Sequence, residues 1–387
     1  LLASVWDDHT TLALVPFDQL VPRLAVLAIN GQNPVDNGSH FDPARYPLTA
    51  TVYLHEKDNA RSEAELRRAQ TLLEALPHSN RQPAHLTVVA MTGVTAMARM
   101  MGAQMDELGA DWPAKVVGAE LASADLTIAS NEVAFSPDCE TLASPDVLLF
   151  CSKPEYWTTL ENSGVDLISL TGNHVNDWGR QSLSWTLEFY AKKGMTVYGG
   201  GSDAQEAVQP RIVTHNGNRL AFLGSNSVGP YNAWASDSLP GAARFDFGQA
   251  AQLIAQARHE EKADVIFYDL QYLESYNPWP LIDQRNTFNM LLQDGADVVT
   301  GMQSHVPQSI EFTDGRLILF GLGNLYFDQM WGEATRQSLI VKHTIYEGHH
   351  ISSQLLVTVL YDYGQPRWAT PDERADILQR IFTASYW

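Results

Sequence analysis

Seven short, nearly unbroken apolar runs after residue 85 constrain the fold of this chain more than any other feature. They are Leu86–Met91, Leu126–Ala129, Val165–Leu170, Leu220–Leu223, Val265–Tyr268, Val298–Val299 and Leu317–Phe320. Runs of this length without polar alternation mark strands buried on both faces. Helical periodicity separates several of them. Leu183, Leu187 and Tyr190 recur at i, i+4 and i+7 between Gln181 and Lys193, and Phe288, Leu291 and Leu292 point inward between Ile282 and Gln293. Strand, loop, helix, strand is the grammar of a layered α/β domain.

In such domains ligands gather at the carboxyl ends of strands, and five polar clusters sit there. These are Ser130–Glu132, Thr171–Asp177, Gln271–Glu274, Gln303–His305 and Gly323–Asn324. The segment Thr171-Gly172-Asn173-His174 ends a strand and allows an amide oxygen and an imidazole to enter one pocket. Oxygen donors suit Mn²⁺, Mg²⁺ or Ca²⁺, and imidazole suits Zn²⁺ or Fe²⁺. An unligated His174 would serve as a general acid, with Asp177 orienting it. The plainer alternative is a turn in which Asn173 takes the left-handed conformation and His174 caps a helix.

The first 82 residues have a different texture, and a domain boundary is expected near residue 82. The runs 11–15, 24–29 and 49–53 read as short β-like pieces broken by Pro and Gly, followed by an amphipathic helix from Ser62 to Leu76. Residues 24–31 and 46–48 are similar to part of a solute-binding-protein lobe. The chain opens on Leu1-Leu2-Ala3-Ser4-Val5 without an initiating Met, which reads as a mature or incomplete product.

With 25 Lys and Arg against 45 Asp and Glu, the formal net charge is −20. That disfavours nucleic acid, which needs a basic face, and disfavours docking on anionic lipid. No apolar run reaches the ~18–20 residues of a membrane-spanning helix. The two cysteines, Cys139 and Cys151, fall in one loop-like stretch. One disulfide in an oxidising compartment suits them, the alternative being two free thiols.

The stretch Val165 to Gly179, followed by Tyr198-Gly199-Gly200-Gly201, Asp294 to Val299, His305, Gln308 and Leu322 to Asp328, resembles the CapA family of capsule synthesis. That family is associated with poly-γ-glutamate and built on the calcineurin-like metallophosphatase fold. The resemblance spans residues 84–345 and implies a layered β-sandwich flanked by helices, with a smaller N-terminal α/β segment. It implies metal-ligand roles for Glu132, Asn173 and His305, proton handling by His174 and Asp177, and a pocket completed by Gln271, Glu274, Gln303 and Asn324.

The departures from the family pattern are as informative. Val94 stands where the family has a metal-binding Asp. Gln271, or Leu270 under a one-residue shift, replaces a histidine, and Gln303 replaces the first member of a His-x-His pair. An amide supplies none of the charge that holds a divalent ion. The resemblance then implies at most one weakly held divalent ion (Mn, Mg, Ca or Zn), or none. Two functions follow: a metal-dependent hydrolase of an envelope polymer or phosphoester, or a non-catalytic extracellular protein that binds an envelope polymer or small molecule. Either would sit outside the cell or on its surface, and assembly as a homo-oligomer is open.

Overall fold

The computed structural model describes residues 2–8, 10–37, 41–51, 53, 62–76 and 79–386. Strands β1 (Leu86–Thr95), β2 (Leu126–Asn131), β3 (Val165–Ser169) and β4 (Thr196–Tyr198) follow one another and pair in parallel. The two-residue β5 (Gly200–Gly201) precedes an antiparallel hairpin of β6 (Arg211–His215) and β7 (Asn218–Asn226). β8 (Gly241–Ala242) pairs back with β5. β9 (Val265–Gln271), β10 (Val298–Met302), β11 (Ile310–Thr313) and β12 (Arg316–Leu319) complete a six-stranded sheet in the order β11-β12-β10-β9-β7-β6.

The chain then returns to the first sheet. β13 (Asn324–Tyr326) pairs with the end of β1, while β14 (Gln337–Tyr346), β15 (His349–Tyr361) and β16 (Gln365–Trp368) extend it antiparallel. The result is an eight-stranded sheet in the order β16-β15-β14-β1-β2-β3-β4, with β13 off that path.

Period-two alternation explains the layers. Val89 and Met91 of β1 meet Phe222 of β7 and Phe267 of β9 between the sheets. Their neighbour Ala90 faces the other way and packs with Met101, Met105, Leu183 and Tyr190, under helices Arg99–Leu108 and Arg180–Lys192. Outside the second sheet, Ile266 and Leu270 pack with Ile254 and Phe288 of helices Phe247–His259 and Ile282–Gln293. Each fully buried side chain of this size contributes about 1.5–3 kcal/mol. The architecture is the expected layered β-sandwich flanked by helices.

All seven apolar runs lie in or at the edge of strands, and the helix expected from Ser62 forms as Glu63–Ala75 with Ser62 as its cap. None of that helix is buried, so its leucine face meets no core. The β-like runs near the N-terminus come out differently. Among the described residues of 10–51, the ladder contact is the isolated bridge Ile29–Gln32. Just beyond the second run the backbone finds side-chain partners: Arg81 Nε and Nη2 donate to the carbonyls of Pro34 and Asp36 (both 2.6 Å), and Thr344 Oγ1 donates to that of Val35 (2.8 Å). Phe17 and Val35 pack on Leu86, Val88 and Tyr346, so this segment rests against the eight-stranded sheet.

Candidate functional site

The five polar clusters converge where the carboxyl ends of β2, β3, β9 and β10 meet the start of β13. Gln271 is the last residue of β9. Because its neighbour Leu270 faces the outer helices, the side chain of Gln271 faces the opposite side, towards β2, which removes the one-residue ambiguity. Its Nε2 donates to Glu132 Oε1 (2.7 Å) and to Asn173 Oδ1 (3.0 Å). Turned over, this amide would set oxygen against two oxygens, so the neighbours fix its orientation. Close backbone approach makes the arrangement compact: a Cβ on Gly172 would lie 2.6 Å from the Cα of Glu132. A Cβ on Gly93 would lie 2.1 Å from the Gly323 carbonyl oxygen, which holds β1 against the segment leading into β13.

His174 and Asp177 form the second group. His174 Nδ1 lies 2.6 Å from Asp177 Oδ2, and that oxygen also accepts from the backbone N–H of Phe150 (3.2 Å). Burial works against a charged imidazole. The Asp177 hydrogen bond and the negative charges of Glu132 and Asp177 outweigh it, and the His174 pKa lies above its ordinary value. Phe150 lies against His174 with ring centroids 4.2 Å apart. Phe150 immediately precedes Cys151, whose disulfide to Cys139 forms with the Cα atoms 5.8 Å apart and closes the loop between them.

His305 anchors the third group. Its Nδ1 bonds Asn324 Oδ1 (2.8 Å) and its Nε2 stands 3.8 Å from Glu274 Oε1. Asn324 also donates to Gln329 Oε1 and to the Thr335 carbonyl (both 3.0 Å), so both ends of its amide are engaged within the protein. Glu274 accepts from the Tyr276 hydroxyl, and the Tyr276 ring stacks on His305 with centroids 6.1 Å apart. Gln303 and His305 both have positive φ (75° and 56°), a conformation that costs free energy in non-glycine residues and clusters at functional sites.

Behind the pocket lies a group that the motifs did not reveal. Arg99, also at positive φ (50°), is buried and paired with Asp328, and its guanidinium lies between the rings of Phe150 and Phe327 (4.6 and 5.1 Å). Its Nη1 donates to the carbonyls of Pro145 and Val147 (2.9 and 3.1 Å), inside the disulfide loop. Phe150 backs His174 and Phe327 backs His305 (centroids 5.5 Å), so one buried cation organises the walls behind both histidines. The available signal was Asp328, a lone acid closing an apolar run, since a buried acid needs a basic partner.

These donors do not fit a tightly held divalent ion. Of the expected ligands, Glu132 Oε1 and Asn173 Oδ1 are taken by the Gln271 amide, and His305 is turned to Asn324 and Glu274. Val94 lies in a small apolar cluster with Ala96, Val133, Phe150 and Phe327 and provides no donor. Among the described residues, no group of three or more His, Cys, Asp or Glu is placed to hold a metal. Among the expected metal and pocket residues, three buried acceptor oxygens remain without a donor: Glu132 Oε2, Gln271 Oε1 and Gln303 Oε1.

The family described as "Bacterial capsule synthesis protein PGA_cap" matches residues 88–329, which carry every expected metal, catalytic and pocket residue. This chain belongs to that family. Among known relatives, the chain is 29% identical over 187 residues to the "PGA biosynthesis protein CapA" of Bacillus subtilis, covering 48% of each. It is 24% identical over 271 residues to the "Capsule biosynthesis protein CapA" of Bacillus anthracis, covering 69% of this chain and 66% of that one. The chain thus spans about half to two thirds of the length of these relatives. Among solved structures, the NAD nucleotidase of Haemophilus influenzae overlaps at a TM-score of 0.42 and 11% identity, covering 78% of this chain and 64% of that one. That likeness bears on neither activity nor ligand.

Proposed function

We propose that this PGA_cap chain acts at the cell surface in the synthesis or processing of poly-γ-glutamate capsule or a related exopolymer, as a binding protein. Its metallophosphatase-like pocket holds an envelope ligand and does not run two-metal hydrolysis. One observation carries the reading: the Gln271 amide ties Glu132 to Asn173, engaging as a donor the two oxygens that a metal ion would need. Two-metal catalysis relies on ions that clamp the attacking and leaving oxygens, and Val94, Gln271 and Gln303 supply no charge to hold them. The Cys139–Cys151 bridge supports an oxidising compartment. Elemental analysis of protein purified from its native host, with phosphoester turnover measured with and without added Mn²⁺, tests the reading. Sub-stoichiometric metal and no turnover are expected, and two tightly bound ions per chain would overturn it.

The His174–Asp177 pair favours a second reading, in which His174 protonates a leaving group on an envelope polymer. Loss of polymer processing in a folded His174→Ala variant would establish it. An unchanged rate would remove it.

A further inference from the structure

We infer that the pocket recognises a primary ammonium group, carried on a flexible chain that enters past Tyr276 and Trp331. This deepens the binding reading and rests on it. The donor count is the first argument. Glu132 Oε2, Gln271 Oε1 and Gln303 Oε1 are buried acceptors without a donor, contributed by three of the polar strand ends that meet here. A buried acceptor left unpaired is costly, and an ammonium brings three N–H donors and no acceptor. A carboxylate or phosphate guest would bring further acceptors and leave all three oxygens unpaired.

Charge is the second argument. Arg99 is paired with Asp328, and His174 with Asp177. Among the described residues, Glu132 and Glu274 have no lysine or arginine partner: Glu132 bonds the Gln271 amide, and Glu274 bonds Tyr276 and stands near His305. The pocket is therefore negative on balance and attracts cations.

The aromatic wall is the third argument and separates an organic cation from a hydrated metal. Tyr276 stacks on His305 and meets Trp331 edge-on with centroids 6.0 Å apart, and both rings are about half exposed (47% and 58%). Aromatic faces attract ammonium groups and pack on the methylenes that carry them. They offer nothing comparable to a divalent ion, which wants several oxygen ligands in fixed geometry.

Titration calorimetry of the full chain provides the test, with Nα-acetyl-lysine methylamide as the side-chain probe and alanyl-alanine methylamide as the amino-terminal probe. At least one probe is expected to bind, and its N-acetylated form to bind about tenfold more weakly or not at all, the scale of a lost charged hydrogen bond. Glu132→Gln is expected to weaken binding about tenfold, and Trp331→Ala about threefold. Circular dichroism of both variants checks that they fold. The probe that binds more tightly identifies the source of the amine. Equal binding of acetylated and free probes, or no binding of either, would overturn the ammonium assignment. If an anionic envelope oligomer nevertheless bound, the wider binding reading would survive that failure. Stoichiometric Mn²⁺ binding that Glu132→Gln abolishes would overturn both.

Discussion

The two sides of the pocket have had different fates. Around His174, the groups that position a proton-carrying imidazole are complete: Asp177 on its Nδ1, Phe150 on its face, the disulfide behind Phe150, and Arg99 behind the aromatic wall. Around Gln271, a neutral amide bridges Glu132 and Asn173 at the meeting point of the strand ends. Glu132, Asn173 and Gln271 still meet at 2.7–3.0 Å because Gly172 permits the strand ends to touch. Backbone convergence is paid for by the fold as a whole, whereas charge depends on single side chains.

The comparison can be broken most severely at Arg99. Arg99→Ala leaves Asp328 buried without its cation, and a loss of about 3–5 kcal/mol is expected in denaturant titration. Arg99→Met with Asp328→Leu should recover much of it, because replacing both charges removes the desolvation penalty. Opening the disulfide with Cys139→Ser and Cys151→Ser comes next, at about 2–4 kcal/mol in the same measurement. If Phe150 is held by that loop, the His174 ring resonances should shift as well.

Gln271→Glu sharpens the contrast from the other side. A second carboxylate beside Glu132 replaces a donor by an acceptor and should cost about 1–3 kcal/mol. Added Mn²⁺ or Ca²⁺ should restore the melting temperature of this variant while leaving the unaltered chain where it was. A variant that melts normally without metal would show that the Gln271 amide is not what ties the two oxygens together.

The smallest effect is in the pH dependence. His174 holds its proton above its ordinary value of about 6.5. Its contribution to stability is therefore fully present below pH 6.5 and fades as pH rises through the folded pKa. Asp177→Asn should flatten that slope and lower the His174 titration midpoint followed by NMR.

Much of the site was legible because strand ends advertise themselves: a continuous apolar run followed by polar residues is a local pattern. Glu132, Asn173, His174, Gln271 and His305 were found that way. Arg99, Phe150 and Phe327 were not, because each matters only through partners distant in the sequence. Arg99 meets Asp328 across 229 positions. Of the antiparallel strands after residue 337, only the turn near His349 and His350 was legible. The mixed pattern of β15, with Ser352, Ser353 and Gln354 in succession, hides its periodicity. The final helix, Pro371–Ala384, carried a readable signal in Thr370 and Glu373, which cap it reciprocally.

The neighbour of β1 within the first sheet has a consequence for how the molecule is made. Leu86 pairs with Tyr346, and the ladder runs on to Met91 opposite Val341. A ribosome therefore completes β1 some 250 residues before it completes the strand that flanks it. Until then, a long apolar strand at the heart of the molecule has one open edge, and closing so large a loop is slow. Such an edge is a template for unwanted pairing with other chains. For this protein, a strand synthesised long after β1 acts as the lock on the first part of the sheet. The segment 88–329, expressed alone, should aggregate rather than fold.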